Sequence, residues 1–245
     1  MTSAARTPTF DVRHVQIARA AFAALAAVMI TFSPDHSALI GTTVFSGFAV
    51  ATGLVFLLSV WLVYPAGVRW PSVLLGITTM VAGMVGSLGP VRTINGFFAL
   101  VIVWAAITGI IETAAGARTL RQLRRPAGTA PTIGGVEQRV APSVTDAASR
   151  PTARGEARDA IVVGVLTLIL AIALLCVPTG FALQYSIEDA PEPFTLTGII
   201  IGVGIFGGYA AIVAVYLGIA GFSPRANEPD AAVVASVSAD QKDSA

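Results

Sequence analysis

ALIGTTVFSGFAVATGLVFLLSVWLV, residues 38–63, carries no charged side chain and exceeds the ~20 apolar residues that a helix needs to cross about 30 Å of hydrocarbon. Its apolar character is nearly continuous. A barrel strand would instead alternate lipid-facing and lumen-facing residues over a shorter run. In hydrocarbon the backbone polar groups must be satisfied within the segment, so the stretch reads as a transmembrane helix.

Working outward from it, five more segments have the same character, at roughly 16–33, 71–89, 94–113, 159–183 and 194–222. The chain therefore reads as an all-α integral membrane protein with six transmembrane helices. Composition agrees: 55% of the 245 residues are hydrophobic, and 12% are charged, against about a quarter in soluble domains. The mean hydropathy is +0.78. A soluble single-core enzyme, a disordered chain and a nucleic-acid binder with a basic face are all excluded. One cysteine, Cys176, allows no intrachain disulfide and no thiolate metal cluster; it reads as a small apolar side chain of span five.

The basic residues orient the spans. With the N-terminus in the cytoplasm, every basic residue but Arg92 falls inside, including Arg6, Arg13, Arg19, Arg69 and the arginines from Arg118 to Arg158. This is the positive-inside pattern and places both termini in the cytoplasm. The outer loops are short and lean acidic, with Asp35, Glu188, Asp189 and Glu192. Trp61, Tyr64 and Trp70 bracket an inner turn, where amphipathic rings favour the headgroups. Residues 20–32 resemble a signal-peptide core, but the repeat described next gives span one an uncleavable counterpart, so it is expected to stay.

A shift of 56 residues aligns Arg13 with Arg69, Pro34 with Pro90, and Thr52-Gly53 with Thr108-Gly109. A shift of 88 pairs Gly76 with Gly164, Thr79 with Thr167 and Pro90 with Pro178. The expected architecture is three hairpin repeats, each with a proline at its outer turn, where the missing N–H is tolerated. Residues 1–125 form a four-span region of two hairpins, at about 13–60 and 69–118. A flexible cytoplasmic linker is expected at 126–158, where Pro, Gly, Ser and isolated charges bury little apolar surface. Residues 159–223 form a two-span hairpin, and 224–245 a disordered cytoplasmic tail.

Few residues offer chemistry. Phosphate loops, nucleophile elbows and His-Glu-x-x-His are missing from the sequence. No catalytic residue, cofactor or metal is expected. His14 and His36 fall on opposite sides of the membrane and cannot share an ion. Glu112, at the end of span four, is the most interesting acid. It is expected to pair with Arg118 or Arg121 at the interface, the other reading being a carboxylate facing a cavity in the bundle. Arg92, alone outside, either contacts lipid phosphate or an acidic loop, or is a tolerated exception to the charge rule. Arg118, Arg121, Arg124 and Arg125 form a basic cluster that attracts anionic lipids at the cytoplasmic face and also holds that loop inside. Gly198, Gly202, Gly204 and Gly208 in span six suit close helix packing, within the chain or across a homo-oligomer seam.

The segments Arg19 to Pro34, Arg69-Trp70-Pro71 to Pro90, Trp104 to Arg118 and Gly164 to Pro178 resemble the HdeD-like family of small multi-span bacterial membrane proteins. The resemblance implies repeated helical hairpins, residence in the bacterial inner membrane and a link to acid-stress tolerance, with no catalytic residue to carry over. The linker at 126–158, the loop at 184–193 and the tail depart from it. Adenylate-forming chemistry is excluded on residues, since the only lysine is Lys242 in the tail. The expected function is a non-catalytic envelope or acid-stress membrane protein. The alternative is a small transporter or channel for a neutral solute, with a path among Thr42, Thr43, Thr78, Thr79, Thr108 and Thr167.

Overall fold

The computed structural model describes residues 11–63, 69–124, 144–185 and 194–223. Six α-helices carry the fold: α1 (Val12–Thr31), α2 (Ala38–Leu62), α3 (Trp70–Gly86), α4 (Ile94–Arg124), α5 (Val144–Leu175) and α6 (Gly198–Phe222). Five of them are long and apolar enough to cross a membrane. The exception, α3, is equally apolar but spans only about 26 Å at 1.5 Å per residue.

Local chemistry sets the ends. Asp11 caps α1, its side chain accepting from Val12 N at 2.9 Å, while His14 Nδ1 accepts from Asp11 N and closes a capping box. Ser37 caps α2. Pro71 sits in the first turn of α3, where no N–H is needed. Pro34 lies in the turn between α1 and α2, and Pro90 in a short 3-10 turn (Gly89–Val91) between α3 and α4. Both prolines fall in turns between helices, as expected.

Each helix packs on its chain neighbours, and α6 closes back on α1, so the six form a ring. Packing is most extensive in the pairs α2–α3, α4–α5 and α1–α6, and looser within α1–α2, α3–α4 and α5–α6. The tight pairs are thus offset by one helix from the expected hairpins. Glycines explain the offset. A Cβ on Gly53 would meet Met80 N at 2.9 Å, and one on Gly83 would meet Val50 N at 2.8 Å, both across α2–α3. Between α4 and α5, a Cβ on Gly109 would meet Gly164 O at 2.9 Å and one on Gly164 would meet Thr113 N at 2.7 Å. Between α1 and α6, Gly207 lies against Ile30 and Gly221 against Ile17. Without a hydrophobic driving force between helices in lipid, backbone approach of this kind supplies the packing.

The sequence repeat reappears as equivalent positions. Gly53 and Gly109 both mark a close crossing, Gly53 with α3 and Gly109 with α5, and Gly76 and Gly164 answer them from those partners. α2, α4 and α6 meet across the middle through Phe45, Phe48, Trp104, Phe206 and Tyr209, with ring centroids 5.1–6.4 Å apart.

Three expectations need correction. Residues 144–158, read as flexible linker, are the first part of α5. Their Ala, Arg and Glu content has high helix propensity, and a helix nucleated in the apolar span propagates into it at little cost. Span five ends at Leu175 rather than 183, stopped by Pro178 and Gly180, which leaves Cys176 exposed just past the helix. Span six begins at Gly198 rather than 194, because Phe194–Thr197 is a strand, β2, that pairs antiparallel with β1 (Ala182–Tyr185), Ala182 lying opposite Thr197. Residues 125–143 of the linker, the acidic residues 188–192 and the tail from 224 lie outside the described residues, as do Tyr64 and Arg125.

Candidate functional site

The middle of the ring holds a polar site built by all six helices. Arg19 from α1 reaches Glu112 from α4, the helix opposite it in the ring, with Arg19 Nη2 donating to Glu112 Oε1 at 2.7 Å. The two side chains are 16% and 5% exposed, so the pair is largely removed from solvent. Phe56 of α2 lies beneath the guanidinium, 4.4 Å from its centre. A cation over an aromatic face gains attraction that strengthens on desolvation.

This arrangement corrects the expectation for Glu112. Its partner is Arg19, not Arg118 or Arg121, and its place is a cavity rather than the interface. The reason is geometric. Arg118 follows Glu112 on α4 but stacks over Trp70 of α3, 5.2 Å from the ring centre. Glu112 shares the inward stripe of α4 with Val101, Trp104, Ala105, Thr108 and Gly109, all buried.

Beside the ion pair is a cavity of about 20 Å³, enough for one water. It is lined by Arg19, Phe48, Thr52, Phe56, Leu75, Thr79, Trp104, Thr108, Glu112, Thr167, Tyr209 and Val213. The hydroxyls are arranged in a definite way. Thr167 Oγ1 donates to Val163 O at 2.8 Å, so its one proton is committed and the 2.9 Å contact with Tyr209 must be donated by the tyrosine. Thr108 Oγ1 donates to Trp104 O at 2.7 Å, and Trp104 Nε1 donates to Thr79 Oγ1 at 3.3 Å. Thr52 Oγ1 and Arg19 Nε are buried without a hydrogen-bond partner. The walls therefore offer oxygen lone pairs from Thr108 and Tyr209, and uncommitted donors from Thr52 and Arg19.

Of the threonines named as a path, Thr79, Thr108 and Thr167 meet here. Thr42 is buried nearer the opposite end of α2, Thr43 is exposed, and Thr78 lines a separate apolar groove between α3 and α4. Trp104 lines both the groove and the cavity and so forms the wall between them.

The remaining predicted residues lie elsewhere. Arg92 donates from Nη2 to Ser87 O at 3.0 Å, satisfying a carbonyl at the end of α3, as a basic side chain at a helix C-terminus does. Arg121 and Arg124 stand in the last turn of α4, which continues as one helix from the apolar span through Arg118 to Arg124. Gly202 packs against the ring of Phe98, and Gly198 against Pro178 O. Gly204 and Gly208 have nothing within 4 Å where a Cβ would stand, so they do not pack within the chain; their positions on α6 face outward, while Gly207 and Gly221 do the packing.

Sequence reasoning named Glu112 but missed Arg19, Thr52 and Tyr209. A signal existed: Arg19 is a base embedded in one apolar span, and Glu112 is an acid embedded in another at the same membrane side. The chain matches no family model, no curated protein and no solved structure.

Proposed function

We propose that this chain is a non-catalytic, six-span protein of the bacterial inner membrane that passes a small neutral polar solute through the middle of its helix ring. The carrying observation is the polar cavity where all six helices converge, with the Arg19–Glu112 pair at one side and unpaired Thr52 and Arg19 groups turned to it. Ionisable groups inside a membrane are costly and most often mark a pathway or a binding site. Hydrogen bonds between helices also serve as packing glue, which accounts for the Trp104–Thr79 and Tyr209–Thr167 contacts. Glue does not account for Thr52 Oγ1 and Arg19 Nε left without protein partners beside a cavity that holds one water.

In this reading α3 spans with the other five, and the chain is three hairpin repeats with both termini cytoplasmic. Anionic lipids meet Arg118, Arg121, Arg124 and Arg125, and copies associate through the outward Gly204–Gly208 face. The cavity as it stands has room for one water, so passage of a larger solute requires α2, α4 and α6 to part at their aromatic contacts. The test is stopped-flow light scattering of proteoliposomes challenged with gradients of urea, glycerol or other small neutral solutes. The proposal expects permeation above that of protein-free vesicles and its loss in Thr52→Val, which keeps the shape and removes the hydroxyl. Flux equal to bare vesicles for every such solute contradicts it.

The second reading is a role in acid-stress tolerance through kinship with the HdeD-like family. What favours it is that residues carrying the resemblance, Arg19, Trp104, Glu112 and Gly164, fall at the cavity and the tightest helix crossing. Its test is survival of a deletion strain after acid challenge, with and without a plasmid copy. Restored survival supports it, and unchanged survival removes it.

A further inference from the structure

One polar cluster lies outside the cavity, farther toward the helix end that carries the N-terminus of α1. Gln16 Nε2 of α1 donates to Asp159 Oδ2 of α5 at 2.8 Å, and Tyr216 OH of α6 donates to Asp159 Oδ1 at 2.9 Å. Three helices thus meet on one carboxylate. An ionised carboxylate only accepts, so the Gln16 amide must turn its nitrogen toward Asp159, and Oε1 is left as the free end. Gln16 is 6% exposed, and Oε1 is buried with no partner. Three residues along α1, Arg19 spends Nη2 on Glu112 while its buried Nε has none. Positions three apart lie on one helix face.

An orphaned acceptor and an orphaned donor therefore sit on consecutive turns of a single buried face. A buried polar group left unpaired costs about 1–3 kcal/mol, so each of the two calls for a partner, and one molecule spanning a single helical turn would serve both. The required ligand must accept from Arg19 Nε and donate to Gln16 Oε1. Water and small hydroxyl compounds do this. A halide cannot donate, and a metal cation cannot accept.

We infer that Gln16, Asp159 and Tyr216 form an inner station of the path, where a small neutral molecule bearing both donor and acceptor bridges Gln16 to Arg19 on its way to the cavity. The inference rests on the solute-path reading and adds its inner entrance. Hydrogen bonds join Tyr216 to Asp159 and Asp159 to Gln16, and another joins Arg19 to Glu112 at the cavity, so the bridging molecule closes the gap between Gln16 and Arg19.

The test is cysteine accessibility in membrane vesicles, in a Cys176→Ala background that removes the native thiol. Single cysteines replace Gln16 and, as an equally buried apolar control one turn from Asp159, Val163 (1% exposed). A membrane-impermeant methanethiosulfonate is added from each side. Since modification rates follow access, Gln16→Cys is expected to react about tenfold faster than Val163→Cys, from one side only, and to be slowed by glycerol. Equal, slow modification at both positions overturns the station. Should Gln16→Cys fail to fold, near-isosteric Asp159→Asn carries the test: it is expected to lower solute flux with its thermal transition retained, and unchanged flux overturns the inference. The outcomes separate the two proposals. Fast Gln16→Cys modification with no solute flux in the unaltered protein keeps a wet station and sinks transport. Measurable flux with a silent Gln16→Cys keeps transport and sinks the station.

Discussion

The two halves of the ring interior are built from opposite chemistry. Toward the end that carries the α1–α2 and α3–α4 turns, α2, α4 and α6 close on one another with Phe45, Phe48, Trp104 and Phe206 in edge-to-face contact. Toward the other end stand Arg19, Glu112, Gln16, Asp159 and Tyr216, joined by hydrogen bonds between helices. In the aromatic half edge-to-face rings fill the space between helices, and the unpaired polar atoms there, Thr42 Oγ1 and Arg92 Nε, stand apart from one another. In the polar half Thr52, Arg19 Nε and Gln16 Oε1 lack partners beside the hydrogen bonds that join the helices. The contrast teaches that one end is held chiefly by ring packing and the other by an ion pair and hydrogen bonds, so a single chain carries both a seal and a site.

The comparison is broken most directly at the seal. Phe206 is fully buried among Phe45, Phe48 and Tyr209, and Phe206→Ala should cost about 3–5 kcal/mol of stability through lost contacts and the cavity left behind. Unfolding in mixed micelles measures it, and the same variant in proteoliposomes should leak solute. A loss within about 0.5 kcal/mol, the scatter of surface changes, would mean the rings are not a packed seal.

Next comes the frame that holds both halves. Gly164→Val places side-chain atoms against Thr113 on α4 and should cost about 1–3 kcal/mol by overpacking. Gly208→Val, facing open space, should shift the unfolding midpoint by no more than about 0.5 kcal/mol in the same assay. Similar losses for the two would remove the claim that the tight pairs are glycine crossings. If Gly208→Val instead changes the oligomer seen by crosslinking, the outward face is a seam between copies.

The smallest effect is expected within the site. Tyr209→Phe deletes one hydrogen bond to Thr167 and should cost about 0.6 kcal/mol, as such bonds do between membrane helices. Its stability should stay near that of the parent while solute flux falls, because the Tyr209 oxygen is one of the acceptors offered to the cavity. Unchanged flux would make Tyr209 packing glue alone.

Much of the helical frame was legible in the sequence. Long charge-free runs such as 38–63 place α2 closely, and Pro34 and Pro90 mark turns between helices because proline's chemistry is local. Thr52 with Thr108, and Thr79 with Thr167, paired by the shifts of 56 and 88 residues, line one cavity. The partner of Glu112 was not. Along the chain Arg118 and Arg121 are nearest, whereas Arg19 is 93 residues away and becomes adjacent only when α6 returns to α1 and closes the ring. The tight pairs escaped for a related reason: connection by a short turn suggests packing, but glycine placement decides it. The helical start of α5 was misread because composition measures burial and says little about a helix continued from a neighbouring span.

The account's central claim is that Arg19 and Glu112 pair across the ring, holding opposite helices together around the cavity. A double-mutant cycle of Arg19→Met and Glu112→Met, followed by reversible unfolding in bicelles, tests it most directly. Each single variant leaves one buried charge uncompensated and should lose about 3–5 kcal/mol, while the double variant should lose less than either single one. A double variant whose loss equals the sum of the singles would show that the two side chains do not interact, and the cross-ring pair would be contradicted.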